Sequence, residues 1–250
     1  MTTPKILIDP PAVDPAVGGL LGVANVIPDS SLAYHGVKHR KVLDGHTRTV
    51  PAEGTDKTFD QLAYEDGVEF ATYRGLEVAL LLGEDPAALA KDAFSAGETY
   101  AVEAAVQELL LNPEAVDITP VPGTGITSAK AALGLLEQWI GENYTGKPLI
   151  QTNRLGVELL FDRIPGVESI TTVNGTPVVG CAGFSADGPG GLTADANEVW
   201  VYVTGQINLW QGNLTVQSAP ATAQNRDFGL AERAYAATNS GPAAAILLKF

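Results

Sequence analysis

The stretch that most restricts this chain is DPAALAKDAFSAGETYAVEAAVQELLLN, residues 85–112. Asp85 suits an N-cap and Pro86 the first helical position, and Pro113 is expected to stop the helix after Asn112. Ala90, Phe94, Gly97, Ala101, Ala104 and Ala105 recur at helical spacing and predict a small-residue stripe for close packing. At 1.5 Å per residue the rod is about 40 Å long. A helix that long must lie across some other layer of the fold.

The elements around it alternate in type. Before it, HTRTVPAEGTDKTFD and GVEFATYRGLEVALLL read as two extended runs joined by a loop at QLAYED, a two-stranded excursion over residues 46–82. Such a hairpin is marginal unless it lies on something else. After it, TSAKAALGLLEQWIGENY predicts a second helix capped by Thr127, with Ala129, Ala132, Leu133, Leu136 and Ile140 as its apolar face. KPLIQT reads as a short strand and NRLGVELLF as a short helix. SITTVNGTPVVG reads as a hairpin with Asn174-Gly175 in a primed turn, followed by a Gly-rich loop. The last third is strand-like, and Trp200, Tyr202 and Thr204 alternate with Val199, Val201 and Val203.

Residues 1–45 read as an extended arm. Pro10, Pro11, Pro15 and the Gly18-Gly19 pair exclude a regular helix or central strand there. Leu20, Leu21, Val23, Val26 and Ile27 then need burial against the chain itself or a neighbour.

Charge is unevenly spread. The formal charge is −14, yet HGVKHRKVLDGHTR, residues 35–48, holds all three histidines and four of the fifteen Lys and Arg side chains: Lys38, Arg40, Lys41 and Arg48. From Glu53 to Asp117 there are fifteen acidic and three basic residues. A net acidic chain is a poor broad gripper of phosphate backbones. Complementary patches of one polypeptide can instead set register between copies. The inter-subunit contact candidates are therefore Lys38, Arg40, Lys41 and Arg48 on one side and Glu65, Asp66 and Glu69 on the other. Charged residues are only 18% of the chain, which leaves neutral surface for other subunits to cover.

Catalytic readings are weak. His35, His39 and His46 are a poor metal set, because four cations stand among them and Gly36 and Gly45 disfavour the helix that would align them. VPGTGITSAK lacks the glycine before Lys130 and the hydroxyl residue after it that a phosphate loop needs. GFSAD around Ser185 lacks the second glycine of a nucleophile elbow. Cys181 lies in apolar VVGCAG and reads as an inert buried thiol. Glu65-Asp66 and Glu84-Asp85 are expected in solvated loops. No cofactor, metal or catalytic residue is assigned. No apolar run reaches the length of a membrane span, and no secretory signal is visible.

The order of elements resembles that of the major capsid proteins of tailed bacteriophages, in the flavour of actinobacteriophages. AGETYAVEAAV after FATYRGLEVALLL resembles a spine helix following an extended loop. EVWVYVTGQINLWQGNLTVQSAP resembles strands returning between domains. LAERAYAATNSGPAAAILLKF, with Glu232-Arg233, resembles the family's chain end. The resemblance implies an α+β, Hong Kong 97-like capsid fold with an N-terminal arm (1–45), an extended β-hairpin loop (46–82) and a spine helix opening a peripheral domain (83–120). An α/β axial domain (121–198), peripheral return strands (199–235) and a C-terminal axial strand (236–250) would follow. It implies self-assembly into hexamers and pentamers of an icosahedral head, without enzymatic activity. Double-stranded DNA would be enclosed without sequence-specific binding, and scaffolding, portal and decoration proteins are the implied partners. The implied location is the virion, with assembly in the host cytoplasm. Other readings are an encapsulin-like nanocompartment shell, a cytosolic α/β nucleotide-binding enzyme using VPGTGITSAK, and a decoration or tail component.

Overall fold

The computed structural model describes residues 19–41, 63–79, 84–161, 170–221 and 225–250. Two sheets share one long helix. The first has five strands: β1 (Asn25–Pro28), β4 (Val68–Ala79), β10 (Ile207–Gln211), β11 (Thr215–Ala221) and β12 (Arg226–Asn239). β12 is its hub. One edge pairs first with β11 and then with β10, whose far side takes β1 in parallel. The other edge pairs with β4 over a twelve-residue register from Arg226↔Ala79 to Ala237↔Val68.

The second sheet has six strands in the order β5 (Val116–Asp117), β13 (Ala243–Lys249), β9 (Glu198–Thr204), β6 (Leu149–Asn153), β8 (Pro177–Cys181) and β7 (Ile170–Thr171). β9 has two different faces, as its alternation predicts, and both are buried. Val199, Val201 and Val203 pack with Ala132, Leu136 and Ile140 of helix α3 (Ala129–Asn143). Trp200 and Tyr202 turn to the opposite core with Val102, Val106 and Leu110. A strand covered on both sides reads as a continuous apolar run, and EVWVYVT does. Ser128, not Thr127, caps α3, accepting from Ala131 N at 3.3 Å. Helix α4 (Arg154–Leu160) starts at Asn153, which accepts from Gly156 N at 2.8 Å.

Helix α2 (Pro86–Val106) begins as its sequence requires. Asp85 accepts from Ala87 N at 2.9 Å and Ala88 N at 3.3 Å, with Pro86 in the first turn. It does not stop before Pro113. A π-helical turn at Gln107–Leu111 leads into a last turn, Asn112–Glu114, that contains the proline. Asn112 N bonds Gln107 O, five residues back, so the register changes just before the residue that has no N–H to place. The buried face also differs from the small-residue stripe. Ala90 and Phe94 are buried against Ala231, but Gly97 is exposed. Beyond it the buried positions are Val102, Glu103, Val106, Gln107, Leu110 and Leu111. Burial swings round the helix because its first half lies on the five-stranded sheet and its second half between both sheets.

Three other expectations change. QLAYED is not wholly a loop: Ala63–Asp66 form β3, which pairs with β2 (Lys38–Lys41). Glu65 and Asp66 therefore sit on a strand. β4 takes β12 as its partner, and residues 42–62, the other expected half of that excursion, lie outside the described residues. The Asn174-Gly175 hairpin is a three-residue loop between Thr172 and Thr176. Thr172 N bonds Thr176 O at 2.9 Å, and only Gly175 has positive φ, at 86°. A primed two-residue turn would need positive φ at Asn174 as well.

The described part of the expected arm is built into the body. Leu20 is fully buried, and Leu21 and Val26 pack beside it. β1 lies on the edge of β10, and helix α1 (Ser30–His35) is capped by Asp29, which accepts from Leu32 N at 3.1 Å. Glu198–Thr204, grouped by sequence with the returning peripheral strands, belongs to the six-stranded sheet, because its Val face is needed opposite α3.

Candidate inter-subunit surfaces

The basic and acidic patches meet in one chain. β2 and β3 run antiparallel with Lys38 opposite Asp66, His39 opposite Glu65, Arg40 opposite Tyr64 and Lys41 opposite Ala63. Lys38 Nζ lies 3.4 Å from Asp66 Oδ1, with the two side chains 62% and 80% exposed. Pairs so open to water contribute about 0–1 kcal/mol. Charge complementarity thus works at this place within the molecule, where sequence reasoning looked to a second copy. Glu69, a little further along the chain, packs its carboxylate against Gly36, whose φ of +76° would strain any residue with a Cβ. His39 Nε2 lies 3.1 Å from the Asn239 carbonyl and ties this ribbon to the end of β12. Arg48 and His46 lie outside the described residues.

Two polar clusters that sequence reasoning missed hold the body together. On α2, the fully buried Glu103 carboxylate accepts from Leu20 N and from Gly183 N, each at 2.9 Å. One turn on, Gln107 accepts from Ser185 N at 2.6 Å and donates to Asp187 O at 2.8 Å. Tyr202 Oη donates to Asn112 Oδ1 at 2.6 Å, and burial pushes its phenol well up. Glu103 and Gln107 are thus the clasp between the start of the described chain, the long helix and the Gly-rich loop. The Glu-x-x-x-Gln spacing on one helical face was visible, but nothing local marked that face as interior.

The second cluster includes Arg233, singled out by sequence. Its guanidinium donates to Glu98 Oε1 at 2.6 Å and lies over the Phe94 ring at 5.9 Å. Tyr235 Oη donates to the same carboxylate oxygen at 2.5 Å and accepts from Gln211 Nε2 at 3.0 Å. Burial, with help from Glu98, pushes the Tyr235 phenol up to about 12. Phe70 stacks on Tyr235 at 5.4 Å. This network fastens α2 to β12.

The catalytic candidates take structural places. Ile126 of VPGTGITSAK exchanges backbone bonds with the β13 edge, Ile126 N to Leu247 O at 2.7 Å and Lys249 N to Ile126 O at 2.8 Å. Gly125 lies so close to Lys249 that a Cβ would clash. A loop stitched down in this way does not present a row of free amides to a phosphate. Ser185 Oγ accepts from Asp187 N at 3.1 Å, closing a local turn. Cys181 is buried, and burial followed by the Glu103 charge raises its thiol well above the usual value, away from thiolate reactivity. Among the described residues no three potential metal ligands come together, and no helix is long and apolar enough to cross a membrane.

No protein-family model and no curated protein matches the chain. Solved structures do match, along nearly its whole length. A chain from the capsid of an empty GTA particle aligns with a TM-score of 0.62 at 14% identity, covering 100% of this chain and 95% of that one. A chain of Microbacterium phage Oxtober96 aligns with a TM-score of 0.56 at 14% identity, covering 98% and 95%. The virus-like particle of Pyrococcus furiosus gives 0.53 at 13% identity, covering 92% of each. At these identities the likeness is one of fold: the chain has the α+β fold of shell-forming subunits from end to end, as the element order led us to expect.

Proposed function

We propose that this chain is a major capsid protein, which assembles with copies of itself into hexamers and pentamers of an icosahedral phage head around double-stranded DNA. The observation that carries this reading is the full-length fold match to a particle capsid, 100% of this chain on 95% of the other. Physical features support it. A chain of net charge −14 lines a DNA compartment without clamping its contents. Exposed large apolar side chains such as Tyr73, Tyr100, Val173 and Phe250 are spread over both sheets and the long helix. Many-sided surfaces of that kind suit heterologous contacts that close rings.

The reading makes the chain a structural protein of the virion that acts by tiling. Within it, Lys38, Arg40, Lys41 and Arg48, with Glu65, Asp66 and Glu69, remain the candidates for contact between copies. Scaffolding, portal and decoration proteins are the implied partners, and the host cytoplasm is the place of assembly. Electron microscopy of the purified chain tests the proposal. Closed particles with five- and six-fold clusters are expected; a small, well-behaved soluble oligomer under all assembly conditions would refute it. The match to the Pyrococcus furiosus particle keeps an encapsulin-like compartment as the second reading. A specific protein cargo inside the particles, in place of DNA, would favour that alternative.

A further inference from the structure

Asparagine is a chemically labile side chain, and most so before glycine, whose unhindered nitrogen can reach its amide. Asn174-Gly175 is such a pair, and it stands at an open loop tip between β7 and β8. Both residues are exposed, and Val173 beside them is fully exposed, so water reaches the place freely. Nothing lies within 4 Å of where a Cβ on Gly175 would be, so no neighbour shields that nitrogen by bulk.

The backbone does not ask for asparagine at 174. Positive φ, which would favour it, falls at Gly175 alone in this loop. The side chain supplies the reason. Asn174 Nδ2 donates to Glu137 Oε2, on α3, at 3.2 Å. The other oxygen of that carboxylate accepts from the Thr172 hydroxyl. Thr172 in turn closes the loop, since its carbonyl accepts from Gly175 N at 2.9 Å and its Oγ1 from Thr176 N at 3.2 Å. The two groups that would react, the Asn174 amide and the Gly175 N–H, are therefore both held, one by Glu137 and one by Glu137's partner Thr172.

We propose that Asn174-Gly175 is a deamidation site and that Glu137 is the side chain that keeps it closed. In the reaction the Gly175 nitrogen gives its proton to water or hydroxide and attacks Asn174 Cγ. A Cγ–N bond forms, the Cγ–Nδ2 bond breaks, and Nδ2 leaves as ammonia with a proton taken from water. Water then opens the five-membered succinimide at either carbonyl, which leaves an aspartyl or an isoaspartyl residue. No oxidant or further reactant is needed.

The clasp opposes both steps. A Gly175 N–H that donates to Thr172 O is less ready to lose its proton to solvent. An Asn174 amide that donates to a carboxylate is fixed in one orientation, with its carbon made less electrophilic. Glu137 is not placed as the base, because its oxygens face Thr172 and Asn174 while the Gly175 proton points to Thr172 O. Conversion also removes its own restraint, since a carboxylate at 174 would set like charge against Glu137. The loop then loses its bond to α3.

This inference concerns a single chain and stands apart from the shell reading. Its test incubates the full chain in mildly alkaline buffer and follows position 174 by peptide mass spectrometry, which separates amide, aspartyl and isoaspartyl forms. The folded chain is expected to convert at least tenfold more slowly than the same chain unfolded in urea. Glu137→Gln matches the glutamate in shape and keeps one acceptor oxygen in place of two. It should convert about fivefold faster than the parent while its circular dichroism spectrum stays the same, and exposed Gln138→Ala should leave the rate unchanged. Should the glutamine variant fail to fold, Glu137→Asp, which withdraws the carboxylate by one methylene, is read in the same way. Equal rates in the folded and unfolded parent would overturn the proposal, and so would a folded Glu137 variant that converts as slowly as the parent.

Discussion

Gly183 donates its backbone N–H to the buried carboxylate of Glu103 at 2.9 Å, and no other residue type could stand so close to the helix. A Cβ at 183 would lie 2.1 Å from Tyr100 O. Carboxylate and glycine are therefore one device. Glu103→Ala leaves the N–H groups of Leu20 and Gly183 buried and unpaired, a loss of about 2–6 kcal/mol at about 1–3 kcal/mol for each. Glu103→Gln, which keeps one acceptor, should lose less. Urea unfolding of the three chains checks the order.

Arg233→Ala strips Glu98 of its cation, with both side chains more than four-fifths buried. The expected loss is about 2–4 kcal/mol. Arg233→Lys should recover only part of it, since Lys lacks the planar guanidinium that lies over Phe94. A double-mutant cycle with Glu98→Gln isolates the coupling.

The Tyr235 phenol, raised from 10.0 to about 12 in the folded chain, stays neutral at pH values where the unfolded chain has already ionised. The unfolded state then binds fewer protons than the folded one, so stability is complete below about pH 10 and falls as pH climbs towards 12. Tyr235→Phe should be less stable at neutral pH but flatten that alkaline slope. Denaturation midpoints from pH 8 to 12 in the two proteins measure it.

Lys38→Glu should change the unfolding free energy by less than about 1 kcal/mol, because the Lys38–Asp66 pair is open to water. Under the shell proposal, reversing Lys38, Arg40 and Lys41 together should lower particle yield at low salt while leaving the circular dichroism spectrum unchanged. Normal particles from that triple variant would remove these residues from the contact candidates.

Gly175→Ala places a Cβ at φ 86° with open space around it, so only backbone strain opposes it. A cost near 1 kcal/mol is expected, read as a fall in melting temperature of a few degrees.

What could be read from the sequence was what is locally encoded. Asp85-Pro86 declares the start of α2, and EVWVYVT declares a strand with two different faces, without knowledge of any partner. Contacts with remote partners were the ones misjudged. Ala63–Asp66 is polar and short, and becomes a strand only because Lys38–Lys41 lies beside it. Glu103 and Gln107 look like surface positions until Leu20 and the 183–187 loop arrive from about eighty residues away on either side. The hairpin at Gly175 was found but its geometry mistaken, since Asn-Gly is equally at home in the three-residue loop. Of the proposed contact residues, the structure brings Lys38 and Asp66 together and sets Glu69 beside Gly36, while Arg48 lies outside the described residues.

β13 lies inside the six-stranded sheet, with β5 on one side and β9 on the other, although it follows every other strand in the chain. The sheet cannot close during synthesis until residue 249 has cleared the ribosome. Until then the edges of β5 and β9 wait without their central neighbour. The fold thus carries its own timing: a central strand of this sheet is the last of the described strands to be made.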